Sequence, residues 1–478
     1  MINKIFVGGK WIKTKNSIDI VNPYNNKKIS SVYIADKSIL NTAIKSAVNV
    51  FEETKSLLTY QRSEALLFIS NELNRRRNEI AKTLSKESGK PLKYAFGEVT
   101  RAASTFKVAS EVINTQGGEV MPLDITPASG NRFGVIKRFP IGPIFGICPF
   151  NFPLNLVAHK VAPAIASGNP IIIKPASKVP LTALILADIF DKTKLPKETL
   201  QIIPCDRKTA DEFISDERIK MISFTGSVPI GWDIKNRSGK KKVVLELGGD
   251  AAVYIDESAD MDYAVKRCVI GAFAYSGQVC ISIQRMFIHE KIYDEFILKF
   301  VKEVKKLIIG NPILENTDIS SIIDSKNTKR ILNWIDDARL NGSNIIYGGK
   351  FDKKNNTILP TIIENPSANC LIMKNEAFAP IVNVFKVKDG TVAIKKINAS
   401  QFGLQAGIFT NSHELIMKAF DDLDVGGLVI NDVPTFRVDN MPYGGVKDSG
   451  FGREGVKFAI DDMTEIKIMV INQNNVRK

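Results

Sequence analysis

Between residues 38 and 109 apolar residues recur at i, i+3 and i+4, as at Leu66, Leu67, Ile69 and Leu73, with charges between them. That spacing predicts helix. From Gly142 the pattern changes. Short apolar runs at 144–147, 170–173, 200–203, 221–224 and 242–245 alternate with helical stretches at 154–165, 181–190 and 230–236. Alternation of this kind predicts a parallel sheet with helical crossovers, and a second such series runs from Ala252 to about Ile430. Three further segments read as β: a Gly8-Gly9 hairpin, a strand-like stretch over 121–140 with a turn at 129–131, and an alternating tail from Glu465 to Ile471 that suits a sheet edge.

The chain has 478 residues, 44% hydrophobic and 24% charged, an ordinary balance for a soluble globular protein of about three units. Its most apolar region, 139–173, is interrupted by Pro140, Pro143, Pro149, Asn151, His159 and Lys160, so no membrane span is expected. The opening residues lack an apolar leader segment, and five cysteines stand singly, so a reduced cytoplasmic protein is expected. The net charge of +14 is spread along the chain, and its densest run is only Lys240-Lys241-Lys242. A solvated surface accounts for this better than a nucleic-acid stripe.

Several short stretches carry candidate chemistry. Phe224-Thr-Gly-Ser227 follows an apolar run and opens a helix, so Gly226 and Ser227 offer free N–H groups to a pyrophosphate or make a plain strand-to-helix turn. Gly231 would let that helix approach the sheet. Cys280 lies in a small polar segment where a thiol is accessible, whereas Cys148 and Cys268 stand among core-forming residues. Glu246 ends an apolar strand, where desolvation would raise its carboxyl toward general-base range unless it faces water. Asn151, fixed between aromatics and prolines, is either an oxyanion donor or a turn residue. Lys174 closes a strand, as a solvated lysine or one reaching a ribose or phosphate. His159 reads as a core residue. The three histidines form no metal or serine-hydrolase motif, so no metal is expected.

Taken together, the chain resembles the aldehyde dehydrogenase superfamily. The resemblance rests on Cys148-Pro-Phe-Asn-Phe-Pro-Leu154, Gly168-Asn-Pro-Ile-Ile-Ile-Lys-Pro175, Phe224-Thr-Gly-Ser227 and Leu245-Glu-Leu-Gly-Gly249. It continues through Gly277-Gln-Val-Cys280 with Arg285, Glu376-Ala-Phe-Ala-Pro380 and Pro442-Tyr-Gly-Gly-Val-Lys-Asp-Ser-Gly450, in order and at matching spacing. It implies an α/β fold with a Rossmann-like cofactor domain (1–120 and 141–247), an α/β catalytic domain (248–448) and a small β region (121–140 and 456–478) that builds homodimers or homotetramers. It implies Cys280 as nucleophile, Asn151 as oxyanion donor and Glu246 as water-activating base. Phe150, Lys174, Ser177, Gly226, Ser227, Glu376 and Phe378 would meet the cofactor.

Ser177 stands where NAD-preferring relatives usually carry Glu. Together with nearby Lys178 it favours NADP or dual use over NAD alone. Pro204–Thr209 replaces a Gly-rich turn, with Arg207 or Lys208 as phosphate partners, and Ala379 replaces a Gly. The stretches around Cys280 and Tyr443 resemble lactaldehyde, semialdehyde and glyceraldehyde dehydrogenases, which implies a small polar or acidic aldehyde. Arg437, Arg101 and Ser282 are substrate candidates, although Arg437 would equally suit a pairing with Asp439. A CoA-acylating dehydrogenase and a non-catalytic cofactor-binding protein remain alternatives, the first opposed by Glu246 and the second by the joint presence of Cys280, Glu246 and Asn151.

Overall fold

Gly8 and Gly9 both adopt positive φ (56° and 70°), which closes a tight turn between strands Ile5–Val7 and Lys10–Ile12 and pairs Phe6 with Trp11. In the computed structural model, which describes residues 2–473, this hairpin extends an eight-stranded sheet. Met1 and 474–478, the ends of the expected first segment and tail, lie outside the described residues. Four helices, Lys37–Ser56, Thr59–Arg75, Arg77–Ser88 and Leu92–Thr115, occupy the region read as helical. Leu66, Ile69 and Leu73 are buried, but Leu67 falls off that stripe and faces water.

The eight strands run Gly450–Phe451, Lys242–Glu246, Met221–Thr225, Ile144–Ile147, Ile171–Lys174, Leu200–Ile202, Ile5–Val7 and Lys10–Ile12. The five central ones are parallel. Chain order proceeds outward from Ile144–Ile147 through Ile171–Lys174 and Leu200–Ile202, then returns to Met221–Thr225 on the other side. The carboxyl ends of Ile144–Ile147 and Met221–Thr225 therefore flank a topological switch point, where open α/β sheets bind ligands. Asn151 and Ser227 follow those two ends.

A second, seven-stranded sheet orders Asn344–Tyr347, Thr361–Glu364, Ile381–Val387, Arg285–His289, Ala252–Ile255, Gln405–Phe409 and Gly427–Ile430. All its pairings are parallel except the first. A third sheet joins Glu119–Pro122, Arg132–Pro140 and Thr464–Asn472 antiparallel, so the alternating tail does pair with a sheet edge. Ile466, Ile468, Met469 and Val470 on its outer strand are exposed.

The tail departs from its expected boundary at 456. Helix Val456–Asp462 does not yet enter the third sheet, because Val456, Ile460 and Met463 join the apolar core of the first sheet. Gly450–Phe451 likewise pairs antiparallel with Lys242–Glu246. Only from Thr464 does the chain enter the third sheet.

Helix Val228–Arg237 lies close on the first sheet because Gly231 has no Cβ; one there would meet Leu247 Cδ2 at 2.3 Å. Gly231→Ala is expected to destabilise the protein by about 1–3 kcal/mol. Urea unfolding of both proteins checks this, and equal midpoints and slopes would contradict the close packing.

Candidate active site

The segment that carries Cys280 leaves helix Met261–Phe273 through three successive residues at positive φ, Tyr275 (52°), Ser276 (54°) and Gly277 (68°). A Cβ at Gly277 would lie 2.1 Å from the Ala379 carbonyl oxygen, so only glycine fits there. Ser276 Oγ donates to the Ser320 carbonyl and accepts from the Ser320 N–H. Cys280 is half-buried, whereas the other four cysteines are buried, and none is disulfide-bonded. Its sulfur lies 2.9 Å from Tyr443 Oη. Burial pushes the thiol up to about 11, and the nearby carboxyls of Glu376 and Glu246 add to the rise.

Cys280 opens into a cavity of about 350 Å³ that also collects Phe150, Asn151, Gly226, Ser227, Glu246, Glu376 and Phe378. Arg101, Arg437, Tyr443 and Glu454 complete its wall. Asn151 is buried, and its Nδ2 donates to the Gln278 carbonyl at 3.1 Å. An amide nitrogen carries two protons, so the second N–H remains for a ligand. Glu246 is 3% exposed, and among the described residues neither carboxylate oxygen has a hydrogen-bond partner. Burial holds its carboxyl well above the ordinary 4.5, and the charge of Glu454 reinforces this. Glu376 accepts from the Gly249 N–H at 3.1 Å, and burial raises it to about 7. Phe150 and Phe378 meet edge to face with centroids 5.7 Å apart.

Ser227 occupies the N-cap position of helix Val228–Arg237, but its hydroxyl makes no cap bond. A Cβ at Gly226 would strike the Phe224 ring at 2.5 Å, so the backbone there stays bare. An unshielded helix N-terminus at the switch point, with a free hydroxyl, fits the diphosphate of a dinucleotide. Ala379 is buried at an ordinary backbone conformation, so the missing glycine costs nothing there.

Lys174 ends its strand beside Cys148 and is not part of the cavity lining. Ser177 lines a separate cavity of about 390 Å³, and its hydroxyl donates to the Cys205 carbonyl at 3.4 Å. Lys178 does not add free positive charge beside it, because it is ion-paired with Asp324. Arg207 and Lys208 are exposed in the first turn of helix Arg207–Ser215, which Asp206 caps through the Thr209 N–H; this helix start replaces the Gly-rich turn.

Two expectations fail. Ser282 is absent from the cavity wall because its hydroxyl donates to the Gly271 and Ala272 carbonyls. Arg437 does not pair with Asp439. It donates to Glu454 Oε2 at 3.1 Å, while Asp439 takes Arg101 and His159 Nε2, each at 3.0 Å. His159 is thus a buried residue with one ring nitrogen bonded and Nδ1 left without a partner. The motif reading also passed over Tyr443, Lys160, Glu454 and Arg330. A lysine inside an apolar helix was the one local signal for Lys160.

The aldehyde dehydrogenase family model matches residues 11–469. A lactaldehyde dehydrogenase from Methanococcus aeolicus is 40% identical over 473 residues, 98% of this chain and 100% of the relative. A 3-sulfolactaldehyde dehydrogenase from Priestia aryabhattai is 38% identical over 98% of each chain. The structure of aldehyde dehydrogenase 21 from Physcomitrella patens, in complex with the reaction product succinate, superposes with a TM-score of 0.97 at 44% identity, over 99% of both chains. With a thiol-bearing loop, a buried carboxylate and a strand-to-helix turn facing one cavity, and with these matches along its length, the chain belongs to the aldehyde dehydrogenase family.

Proposed function

We propose that this protein oxidises a small acidic aldehyde to its carboxylate, with NADP or NAD as the oxidant. The observation that carries the reading is the convergence of Cys280, Asn151, Glu246, Arg101 and Arg437 on one cavity. A bound nicotinamide dinucleotide supplies an acceptor for the hydride that leaves the substrate carbon. Ser227 and the bare turn at Gly226 would hold its diphosphate, Lys174 and Glu376 its riboses, and Phe150 and Phe378 would contact it in the same cavity.

Cys280 adds its sulfur to the aldehyde carbon. The oxyanion receives the unused Asn151 N–H and the Cys280 backbone N–H, each such donor worth roughly 3–4 kcal/mol. Loss of hydride leaves a thioester on Cys280. Glu246 takes a proton from water as that water attacks the thioester, which frees the carboxylate product and restores the thiol. A buried carboxylate with no protein partner suits this task, and it favours water over CoA as the acyl acceptor.

Two arginines on the cavity wall suit a substrate with its own anionic group. Some relatives support an anionic group: one is named for 3-sulfolactaldehyde, another holds succinate, and glyceraldehyde-3-phosphate dehydrogenase GapN from Methanocaldococcus jannaschii was solved with NADP, whereas the Methanococcus aeolicus relative is named for lactaldehyde, which is polar and uncharged. The exposed apolar strand Thr464–Asn472 suits a homodimer or homotetramer, consistent with a cofactor domain, a catalytic domain and an assembly sheet.

An aldehyde panel with both cofactors, with and without CoA, tests the reading; turnover only with CoA would overturn the hydrolytic step. In that panel Arg101→Met should raise KM for succinate semialdehyde roughly tenfold or more while leaving propanal within about threefold. Equal losses for both would mean that Arg101 does not read the acid group.

Glu246→Gln should release one equivalent of reduced cofactor in a burst and then turn over roughly 100-fold more slowly. Protonation silences the base, so kcat in the unaltered enzyme should fall as pH drops through a value well above 4.5. An acid limb in the ordinary carboxylate range, or steady cycling by the variant, would assign the base elsewhere.

A carboxylate at position 177 would face the 2′-phosphate of NADP. Ser177→Glu should therefore lower the NADP-to-NAD ratio of kcat/KM about tenfold or more through like-charge repulsion. An unchanged ratio would place 2′ recognition on other residues.

A further inference from the structure

We propose that the Tyr443 hydroxyl is a catalytic donor that holds the Cys280 sulfur and stabilises the thiolate form that attacks the aldehyde. The inference rests on the reading of Cys280 as nucleophile.

Among the described residues, Tyr443 makes the one hydrogen bond to that sulfur, at 2.9 Å. The ring is 3% exposed and packs with Ile281 and Leu404 beside Cys280. Its backbone is pinned on both sides. The Tyr443 N–H donates to the Glu454 carbonyl at 3.0 Å, and the Glu454 N–H donates back at 2.6 Å. The Arg437 guanidinium covers the ring, 3.7 Å from its centroid. A cation over the π face withdraws electron density from the ring, which strengthens the phenol as a donor.

The chemistry fixes the direction of the bond. With both groups neutral, either proton can bridge. Once Cys280 ionises, only the phenol has a proton to give, and the bond becomes O–H···S⁻, which is stronger than its neutral counterpart. The S–H bond breaks, the electron pair stays on sulfur, and the proton passes to Glu246 in its ionised form, which releases it to solvent before taking a proton from the attacking water. Formation of the S–C bond then consumes that electron pair. The phenol keeps its own proton throughout, because burial and the neighbouring thiol hold it well above the ordinary tyrosine range.

The groups that bear on the sulfur are Tyr443, Glu376, Arg437 and Glu246. The two carboxyls oppose ionisation. Arg437 favours it, but its charge is shared with Glu454. Tyr443 is the neutral donor in direct contact, and it lowers the thiol against the burial that raises it.

Iodoacetamide alkylation across pH reads the thiol without turnover, and selectively, since the other four cysteines are buried. Tyr443→Phe keeps the ring and its backbone and removes one oxygen. The alkylation midpoint should rise by about one unit, roughly tenfold in rate at a fixed pH below it. The thiol-dependent limb of kcat/KM should move with it, while NADP affinity and melting temperature stay unchanged. Superimposable alkylation profiles would overturn the proposal, whether or not activity fell, because a packing role would lower activity without moving the midpoint. Cys280→Ser separates the two readings: oxidation that survives in it would remove the nucleophile assignment itself, whereas a dead Cys280→Ser beside an unshifted Tyr443→Phe would remove Tyr443 alone.

Discussion

A buried chain of charges under the cavity floor ties the molecule together. Lys160, inside the apolar helix Asn155–Ser167, donates to Ser223 Oγ, Thr225 Oγ1 and Glu454 Oε1 at 2.8–3.0 Å. Glu454 also accepts from Arg437. All three side chains are almost fully buried, so each depends on its partners, and removal of one would leave the others at a cost of about 3–5 kcal/mol. Burial alone would raise the Glu454 carboxyl, but Lys160 and Arg437 outweigh it and hold it at about 2. A fixed negative charge thus stands near Glu246 and helps keep that carboxyl protonated at a pH where an ordinary glutamate has ionised. One network both staples the C-terminal loop to the first sheet and sets the charge beside Glu246.

A second buried ion pair supports the turn that carries Asn151. Glu98, on helix Leu92–Thr115, accepts from the Leu154 and Asn155 N–H groups at 2.9 and 3.2 Å, where helix Asn155–Ser167 begins with unpaired donors. Its other oxygen is paired with Lys90, equally buried. The Lys90 ammonium lies 3.7 Å from the Phe152 ring centroid and 4.4 Å from that of Tyr275. Phe152 adjoins Asn151, and Tyr275 precedes the Cys280 loop. One cation therefore braces both sides of the gap in which an oxyanion would form.

Much of this was legible because it is local. The helix read over 181–190 is observed at those bounds, and the alternation beyond Gly142 marks the strands of the first sheet, because apolar periodicity is a property of neighbours. Cys280, Asn151 and Glu246, which share one cavity, were legible as motif residues of a resembling family. The partners were not. Lys160 meets Glu454 across 294 residues, and nothing in either neighbourhood announces the other. The Arg437–Asp439 pairing that the sequence also allowed does not form, for a physical reason: Asp439 meets Arg101 and His159, distant in sequence but beside it in the fold, and Arg437 meets Glu454. Lys178 likewise found Asp324, which lies 146 residues away.

Burial sets the protonation of the resting site. It pushes the Cys280 thiol, the Glu246 carboxyl, the Glu376 carboxyl and the Tyr443 phenol upward together, so each favours its neutral form. Arg437 is matched by Glu454 and Arg101 by Asp439. The thiol form of Cys280 is thus favoured in this cavity. Because the four groups share one low-dielectric space, positive charge brought into it lowers all of them at once, whereas the same charge in water would act weakly on each. The wall that makes Cys280 sluggish at rest is what makes it responsive to what binds beside it.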